Sequence, residues 1–235
     1  MPEPCISVIL PCYNEAENLE EVVTELESVL TQVNQTFEVI LVDDHSTDNS
    51  PTIVHMLQKT RPHLRLFIHK KNFGQSAAFM TGFQNAKGKI LITLDADQQY
   101  DVSDIPHFLE ALKDCDAVCG IRQKRKDSWE KIVSSRIANG VRNWILKDGI
   151  HDAGCTFRAF HKKALVHLIP FQGMHRFFPM LLKSQGTHVK EIMVQHRPRA
   201  KGQTKYGMWD RLGVGIWDTF AMLWYRKRGF PADRL

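Results

Sequence analysis

No Cys-x-x-Cys pair occurs in this 235-residue chain, and its five cysteines (Cys5, Cys12, Cys115, Cys119, Cys155) are odd in number. That argues against a thiolate zinc site and a disulfide framework, and points to reduced thiols. The eleven histidines show no His-Glu-x-x-His or other metal spacing, so most read as scattered polar or core residues. No Gly-x-Gly-x-x-Gly follows the first apolar run, and no Gly-x-x-x-x-Gly-Lys-Ser/Thr or Gly-x-Ser-x-Gly string appears. Dinucleotide oxidoreductases, P-loop ATPases and serine hydrolases of the elbow type are therefore disfavoured. The N-terminus lacks a basic segment leading into an apolar stretch, and no run approaches about 18 uninterrupted apolar residues. Neither a signal peptide nor a spanning helix is predicted, and an intracellular protein is expected.

What the chain does have is an ample core and a lopsided charge. Hydrophobic residues make up 43% of it, enough for one large α/β domain or a domain with an appendage. The net charge of +5 balances two unlike halves: residues 1–121 hold 8 Lys/Arg against 18 Asp/Glu, and residues 122–235 hold 23 against 8. An acidic half suited to a cation thus precedes a basic half suited to phosphates or an anionic membrane surface. Nucleic acid is not an expected partner.

Up to about residue 121, strands predicted over 6–11, 37–43, 64–69, 89–95 and 117–120 alternate with helices. The helices fall over about 15–33 (with Asn14 as its N-cap), in the stretch ending near Arg61, over 75–86 and over 104–113. Such alternation implies a doubly wound, mostly parallel α/β sheet with flanking helices. Beyond Arg122 come a basic helical stretch from Lys124 to Trp144, strands near 156–160 and 188–195, and helices near 162–168, 175–184 and 208–228. On the last helix, Trp209, Leu212, Ile216, Trp217, Phe220, Leu223 and Trp224 share much of one stripe ahead of Arg226-Lys-Arg228. Core packing and a place in a membrane interface are equally open for it. The expected organisation is a domain over 1–207 and an amphipathic C-terminal helix and tail over 208–235.

Three strand ends carry polar chemistry. Asp95-Ala-Asp97 follows Lys89-Ile-Leu-Ile-Thr-Leu94, Val42-Asp-Asp44 closes Phe37-Glu-Val-Ile-Leu41, and Pro11-Cys-Tyr-Asn-Glu15 follows Ile6-Ser-Val-Ile-Leu10. In an open α/β sheet, ligands bind beyond the carboxyl ends of the strands. Paired carboxylates there suit a hard divalent cation held against a diphosphate, and a metal-neutralised diphosphate is a good leaving group. A transferase using a nucleotide diphosphate fits what remains.

Ser7-Val-Ile-Leu-Pro-Cys-Tyr-Asn-Glu15, Val42-Asp-Asp-His-Ser-Thr-Asp48 and Leu94-Asp-Ala-Asp97 together resemble glycosyltransferase family 2. Asp152-Ala-Gly-Cys-Thr-Phe-Arg158, Met174-His-Arg-Phe-Phe-Pro179 and Arg197-Pro-Arg-Ala-Lys-Gly-Gln-Thr-Lys-Tyr206 look like its dolichyl-phosphate mannosyltransferase branch, including bacterial undecaprenyl-phosphate relatives. The resemblance covers nearly the whole chain. It implies a GT-A-like fold, with a nucleotide-sugar-binding half over 1–121 and an acceptor-binding half over 122–207. It implies that Pro11, Tyr13 and Glu15 line the nucleotide pocket, that Val42 and Asp44 contact base or ribose, and that Asp95 and Ala96 lie against the donor. Asp95 and Asp97 would hold Mg²⁺ or Mn²⁺, with Gln99 close by. Arg122, Arg136, Arg199 and Lys205 would meet donor or acceptor phosphates, a task suited to the arginine fork and the lysine point charge. The chain departs from the common pattern at Gln98, where an apolar residue is usual, and at Thr204, where Ser is frequent. The Gln-x-x-Arg-Trp string typical of polysaccharide-chain transferases is absent. Members of the branch often carry spanning helices after the catalytic domain, and these 235 residues include none.

The implied reaction passes a sugar from GDP-mannose or a UDP-hexose to a polyprenyl phosphate, with inversion. A hydroxyl acceptor needs a general base, whereas a phosphomonoester, with a second pKa of about 6, is already an anionic nucleophile. Positioning and charge neutralisation then supply most of the rate. Asp97, Asp152, Arg122, Arg199 and Lys205 are the catalytic candidates. Asp152 would orient acceptor or sugar, or else act structurally as an N-cap or a partner of Arg158; His151 and His175 read as structural. The expectation is a protein peripheral on the cytoplasmic membrane face. Self-association, recruitment by a membrane-embedded partner subunit, a hydroxyl acceptor, and a catalytically silent nucleotide-sugar-binding or scaffold role stay open as alternatives.

Overall fold

The apolar runs condense into one sheet. A computed structural model of the protein describes residues 3–123, 140–198 and 208–228, with the side chains of 208–214 and 216 outside the described set. The strands are β1 (Ile6–Cys12), β2 (Phe37–Asp43), β3 (Leu64–Ile68), β4 (Ile90–Thr93), β5 (Ala117–Gln123), β6 (Arg158–His161) and β7 (Val189–Gln195). Their order is β3-β2-β1-β4-β6-β5-β7. Every neighbouring pair is parallel except those of β6, which runs antiparallel to β4 and β5. The helices are α1 (Leu19–Gln32), α2 (Ser50–Gln58), α3 (Gln75–Asn85), α4 (Ile105–Ala111), α5 (140–146), α6 (Phe178–Ser184) and α7 (Met208–Arg228).

Successive strand residues point to opposite faces, so a sheet covered on both sides needs near-continuous apolar runs. On β1, Ile6, Val8 and Leu10 pack with Leu26 of α1, Val54 of α2 and Phe108 of α4. Ile9, with Ile40 and Val42 of β2, packs with Phe79 and Phe83 of α3, Phe178 of α6 and Met222 of α7. The result is the doubly wound, mostly parallel three-layer arrangement that the alternation predicts. The layers close tightly where Gly82 of α3 meets Ile9, leaving no room for a β-carbon.

Several local expectations change. β5 runs to Gln123, which places Arg122 inside the strand opposite Val194 of β7. α1 starts at Leu19, and Asn14 is not its N-cap. Asn14 instead takes a left-handed backbone (φ 53°), which asparagine tolerates better than most residues. The stretch 162–168 forms only a 3₁₀ turn over Lys162–Leu165, and 175–184 divides into a 3₁₀ turn over Met174–Arg176 and α6, whose Pro179 suits a first helical turn. Of the basic stretch from Lys124 to Trp144, only 140–144 lies among the described residues, and it is helical. On α7 the expected stripe divides: Leu223 packs against the core, whereas Trp217, Phe220 and Trp224 are exposed, and the buried positions are Thr219 and Met222, outside the stripe.

One buried carboxylate ties the amino ends of the strands together. Glu38 of β2 accepts hydrogen bonds from Ser7 Oγ (2.6 Å), Lys87 N (2.6 Å) and Arg65 Nη1 (2.6 Å). Burial pushes this carboxyl up, but the three donors prevail and hold it below its ordinary value. A depressed folded-state pKa contributes stability above the unfolded-state value, about 4.3, and that stability is lost as pH falls through the folded-state value. Glu38→Gln is therefore expected to lower unfolding stability by roughly 1.5–3 kcal/mol at neutral pH, measured by urea denaturation. The deficit should shrink on acidification; a deficit undiminished at about pH 3 would contradict this account.

Candidate active site

The carboxyl ends of β1 and β2 are stitched to each other by short polar side chains. Asn14 Oδ1 accepts from Thr47 N (2.7 Å), and Asn14 N donates to Ser46 Oγ (2.8 Å). Glu15 N donates to Ser50 Oγ (3.0 Å), and Ala16 N to Asp48 Oδ2 (3.1 Å). Pro11 and Tyr13 are half-buried beside this seam, and the Glu15 carboxylate accepts from Asn18 Nδ2 (2.7 Å). Cys12 is buried, and burial with the nearby Asp43 charge pushes its thiol up to about 12. It is an inert thiol, not a nucleophile.

The two aspartates that end β2 diverge. Asp44 accepts from Phe73 N (2.8 Å), Gly74 N (2.7 Å) and the His69 ring (2.7 Å), whose other nitrogen meets Thr81 Oγ1 (2.9 Å). Its carboxylate thus fixes the loop that enters α3. Asp43 is also buried and accepts from Ser46 N (3.0 Å), but its Oδ1 finds no donor among the described residues. The Val42 side chain belongs to the core, so any ligand contact there would run through its main chain.

Asp95 lies just beyond β4 and keeps part of its surface open. Gln75 Nε2 donates to Oδ1 (2.6 Å) and Thr156 Oγ1 to Oδ2 (2.7 Å). Ala96 is buried, and Asp97 accepts from Gln99 N (3.2 Å). Gln98 between them is buried with a left-handed backbone (φ 59°) that turns the chain sharply. Burial, reinforced by the Asp97 charge, pushes the Asp95 carboxyl up to about 7, against the pull of Thr156, Arg122 and Arg158. A carboxyl that burial and a neighbouring carboxylate keep from ionising freely suits an added cation. Among the described residues no cluster of three or more His, Cys, Asp or Glu is placed to hold one. A divalent ion at this strand end would take its remaining oxygens from phosphates or water.

The end of β5 supplies the opposite charge. Arg122 Nε and Nη2 donate to Asp152 Oδ2 (2.7 Å) and Oδ1 (2.8 Å), and Arg122 N adds a third bond to Oδ2 (3.3 Å). Asp152 therefore partners Arg122 and not Arg158. A β-carbon on Gly154 would stand 3.0 Å from Arg122 Nη2, so glycine there makes room for the guanidinium. Arg158 is only 1% exposed and donates to His175 O (2.7 Å) and Ala153 O (2.8 Å) across the Phe178 ring. His175 meets Ser76 Oγ (2.8 Å), and His151 pairs with Glu191 at the surface (2.8 Å), both structural contacts.

Arg197 pairs with Glu25 (2.7 Å) and Asp101 (2.9 Å) and donates its backbone N–H to Gln99 O (2.8 Å). The extension of β7 is thereby fastened to the loop that carries Asp97. Arg136, Arg199 and Lys205 lie outside the described residues. Gln75 joins the site from outside every motif, while Asp43, Thr156 and Arg158 lie inside the Val42–Asp48 and Asp152–Arg158 strings without having been given a site role of their own.

Comparisons with known proteins bear on the family and the fold. The profile of glycosyl transferase family 2 matches residues 7–169. Undecaprenyl-phosphate 4-deoxy-4-formamido-L-arabinose transferase of Edwardsiella ictaluri is 34% identical over 206 residues, covering 86% of this chain and 63% of its own length. The protein of the same name from Pseudomonas aeruginosa is 33% identical over 207 residues, covering 87% and 61%. The chain thus spans less than two thirds of these curated relatives. Among solved structures, the mannosyltransferase PcManGT from Pyrobaculum calidifontis, in complex with GDP-Man and Mn²⁺, superposes with a TM-score of 0.67 at 23% identity, covering 93% of this chain and 64% of that one. Glucosyl-3-phosphoglycerate synthase from Mycobacterium tuberculosis, in complex with Mn²⁺ and UDP-glucose, gives 0.67 at 16% identity, with 95% and 79% covered. At these identities the likeness is one of fold, that of GT-A glycosyltransferases.

The raised Asp95 carboxyl has a thermodynamic signature. Between its ordinary value of about 3.9 and about 7, the folded protein holds a proton that the unfolded chain has released. Stability therefore falls as pH rises through that window, by at most about 1.4 kcal/mol per pH unit. In chelator, wild type should lose stability relative to Asp95→Asn from about pH 4 to pH 7, read by denaturant unfolding of both proteins. A constant difference between the two across this range would refute the shift.

Proposed function

Since the chain belongs to glycosyl transferase family 2, we propose that it transfers a sugar from a nucleotide-diphosphate sugar to a polyprenyl phosphate at the cytoplasmic face of a membrane. The observation that carries this reading is the pairing of opposite charges around one cleft. The Asp95–Asp97 pair ends β4, and the Arg122–Asp152 pair ends β5, beside the point where strand order reverses about β1. The names of the relatives point to an undecaprenyl-phosphate acceptor, and the neighbours bound to GDP-Man or UDP-glucose point to a nucleotide-sugar donor.

In this reading the nucleoside lies along the β1–β2 seam, by Pro11, Tyr13 and Glu15. The undonated Asp43 Oδ1 is an acceptor that a base N–H or ribose hydroxyl would satisfy. Asp95 and Asp97 hold Mg²⁺ or Mn²⁺, with Gln99 nearby. When bound, such an ion offsets the negative charge that builds on the departing diphosphate. Gln75 and Thr156 fix the orientation of Asp95. Arg122, aimed by Asp152, and Arg136, Arg199 and Lys205 attract and align the acceptor phosphate. An acceptor oxygen attacks the anomeric carbon, the bond from that carbon to the diphosphate oxygen breaks, and the nucleoside diphosphate leaves with inversion.

Both oxygens of Asp152 already accept from Arg122, which disfavours it as the general base a hydroxyl acceptor would require. A phosphate acceptor needs none, so this contact favours the polyprenyl phosphate over an alcohol.

The test is release of nucleoside diphosphate from candidate donors with a short prenyl phosphate or the corresponding prenol. Release should require the phosphate. Asp97→Asn should lower it by orders of magnitude with the fold intact. Arg199→Ala and Lys205→Ala should each lower it about tenfold to about a hundredfold, the kinetic equivalent of one lost charge-assisted contact, with little change in thermal stability. Equal turnover with the prenol, or a fully active Asp97→Asn protein, would overturn the proposal.

A further inference from the structure

The outward side of α7 has a pattern that neither the core nor the cleft uses. Its inner residues Thr219 and Met222 are buried, and Met222 joins the second hydrophobic cluster. Its exposed positions between 217 and 228 are Trp217, Phe220, Ala221, Trp224, Lys227 and Arg228. These recur at intervals of three and four residues, so they form one continuous arc. Trp217 is 78% exposed, Phe220 51% and Trp224 66%. Leaving such rings in water-facing positions has no folding benefit, and large exposed apolar patches mark interaction sites.

The composition of the arc identifies the partner. Two tryptophans and a phenylalanine pass directly into two cations, and no carboxylate interrupts them; Asp218 lies off the arc, only partly exposed beside Gly173. A protein interface of comparable size would deplete lysine at its centre, and no helix among the described residues is long and apolar enough to cross a bilayer. Indole rings favour the headgroup region, and cations beside them favour anionic lipid. Trp144 of α5 is 80% exposed as well, and α5 packs into the same cluster through Leu146.

The geometry points to this arc as a membrane-docking face: α7 lies flat in the headgroup region of an anionic bilayer, with its rings inserted and Lys227 and Arg228 on lipid phosphates. The inference rests on the polyprenyl-phosphate reading for its purpose, because an acceptor tail in the bilayer presents its phosphate at that surface, but its measurement needs no substrate.

The full chain should cosediment with vesicles of phosphatidylcholine and phosphatidylglycerol and much less with phosphatidylcholine alone. Binding should fall as ionic strength rises from about 0.1 M to about 1 M, where the screening length drops from about 10 Å to about 3 Å. Trp217→Ser with Phe220→Ser and Trp224→Ser should weaken partitioning at least about tenfold, and Lys227→Gln with Arg228→Gln should remove the preference for anionic lipid. All variants should keep the wild-type melting temperature and full transfer to a short water-soluble prenyl phosphate. If the aromatic variant binds vesicles like wild type, the docking face is elsewhere. If wild type ignores vesicles and the aromatic variant instead dissociates an oligomer, the arc is a protein interface and the inference fails. Absent sugar transfer by the wild-type protein alongside the expected loss of vesicle binding in the aromatic variant would count against the functional reading and leave the docking face standing.

Discussion

Two carboxylates separated by one residue at the end of a buried strand repel each other, and folding must tolerate that repulsion. Asp95 manages it through Gln75 and Thr156, which donate to its two oxygens, and through the more distant charges of Arg122 and Arg158. Each of these partners comes from a different element: α3, the segment entering β6, β5 and β6 itself. The carboxylate pair is therefore a point to which much of the sheet is tied. A carboxylate pair of this kind is suited to a divalent cation.

The other buried carboxylates of the sheet show the opposite allocation. Asp44 is committed to the loop before α3, Asp152 to Arg122, and Glu38 to the amino ends of the strands. Each accepts several donors and acts as a rivet. Asp43 alone among the strand-end acids keeps a buried oxygen without a donor among the described residues. Buried polar atoms are normally satisfied, so this orphan belongs with ligand binding more naturally than with folding. The same sorting applies to arginine. Arg158 is spent on backbone carbonyls, and Arg122 is aimed by its carboxylate while retaining further donors on a partly exposed fork.

Much of this was legible in the chain itself. Continuous apolar runs of strand length, separated by helical patterns, specify a parallel sheet covered on both faces, and β1, β2 and β4 fall where those runs do. The polar strings after β1, β2 and β4 marked the cleft because strand ends are where such sheets expose chemistry. The failures share a cause. Asn14 looked like a helix cap because capping is read from local sequence, whereas its partners Ser46 and Thr47 lie more than thirty positions away. Asp152 looked free to be a cap or a partner of Arg158 for the same reason, since Arg122 is thirty residues distant. Gln75 lies in no motif and Thr156 sits in one without a role assigned to it, and only the folded sheet brings them to Asp95. The stripe on α7 was visible as periodicity, but which part of it faces the core depends on tertiary packing that periodicity cannot supply.

The central claim is that one cleft at the carboxyl ends of β1, β2, β4 and β5 binds the donor through a metal held by Asp95 and Asp97. Crystals grown with Mn²⁺ and a nucleoside diphosphate, measured for anomalous scattering at the manganese edge, test it most directly. The account expects a strong anomalous peak in ligating contact with Asp97 and with diphosphate oxygens, and the nucleoside along the β1–β2 seam. A nucleoside diphosphate bound elsewhere on the sheet, or bound at this seam with no manganese at the Asp95–Asp97 strand end, would contradict it.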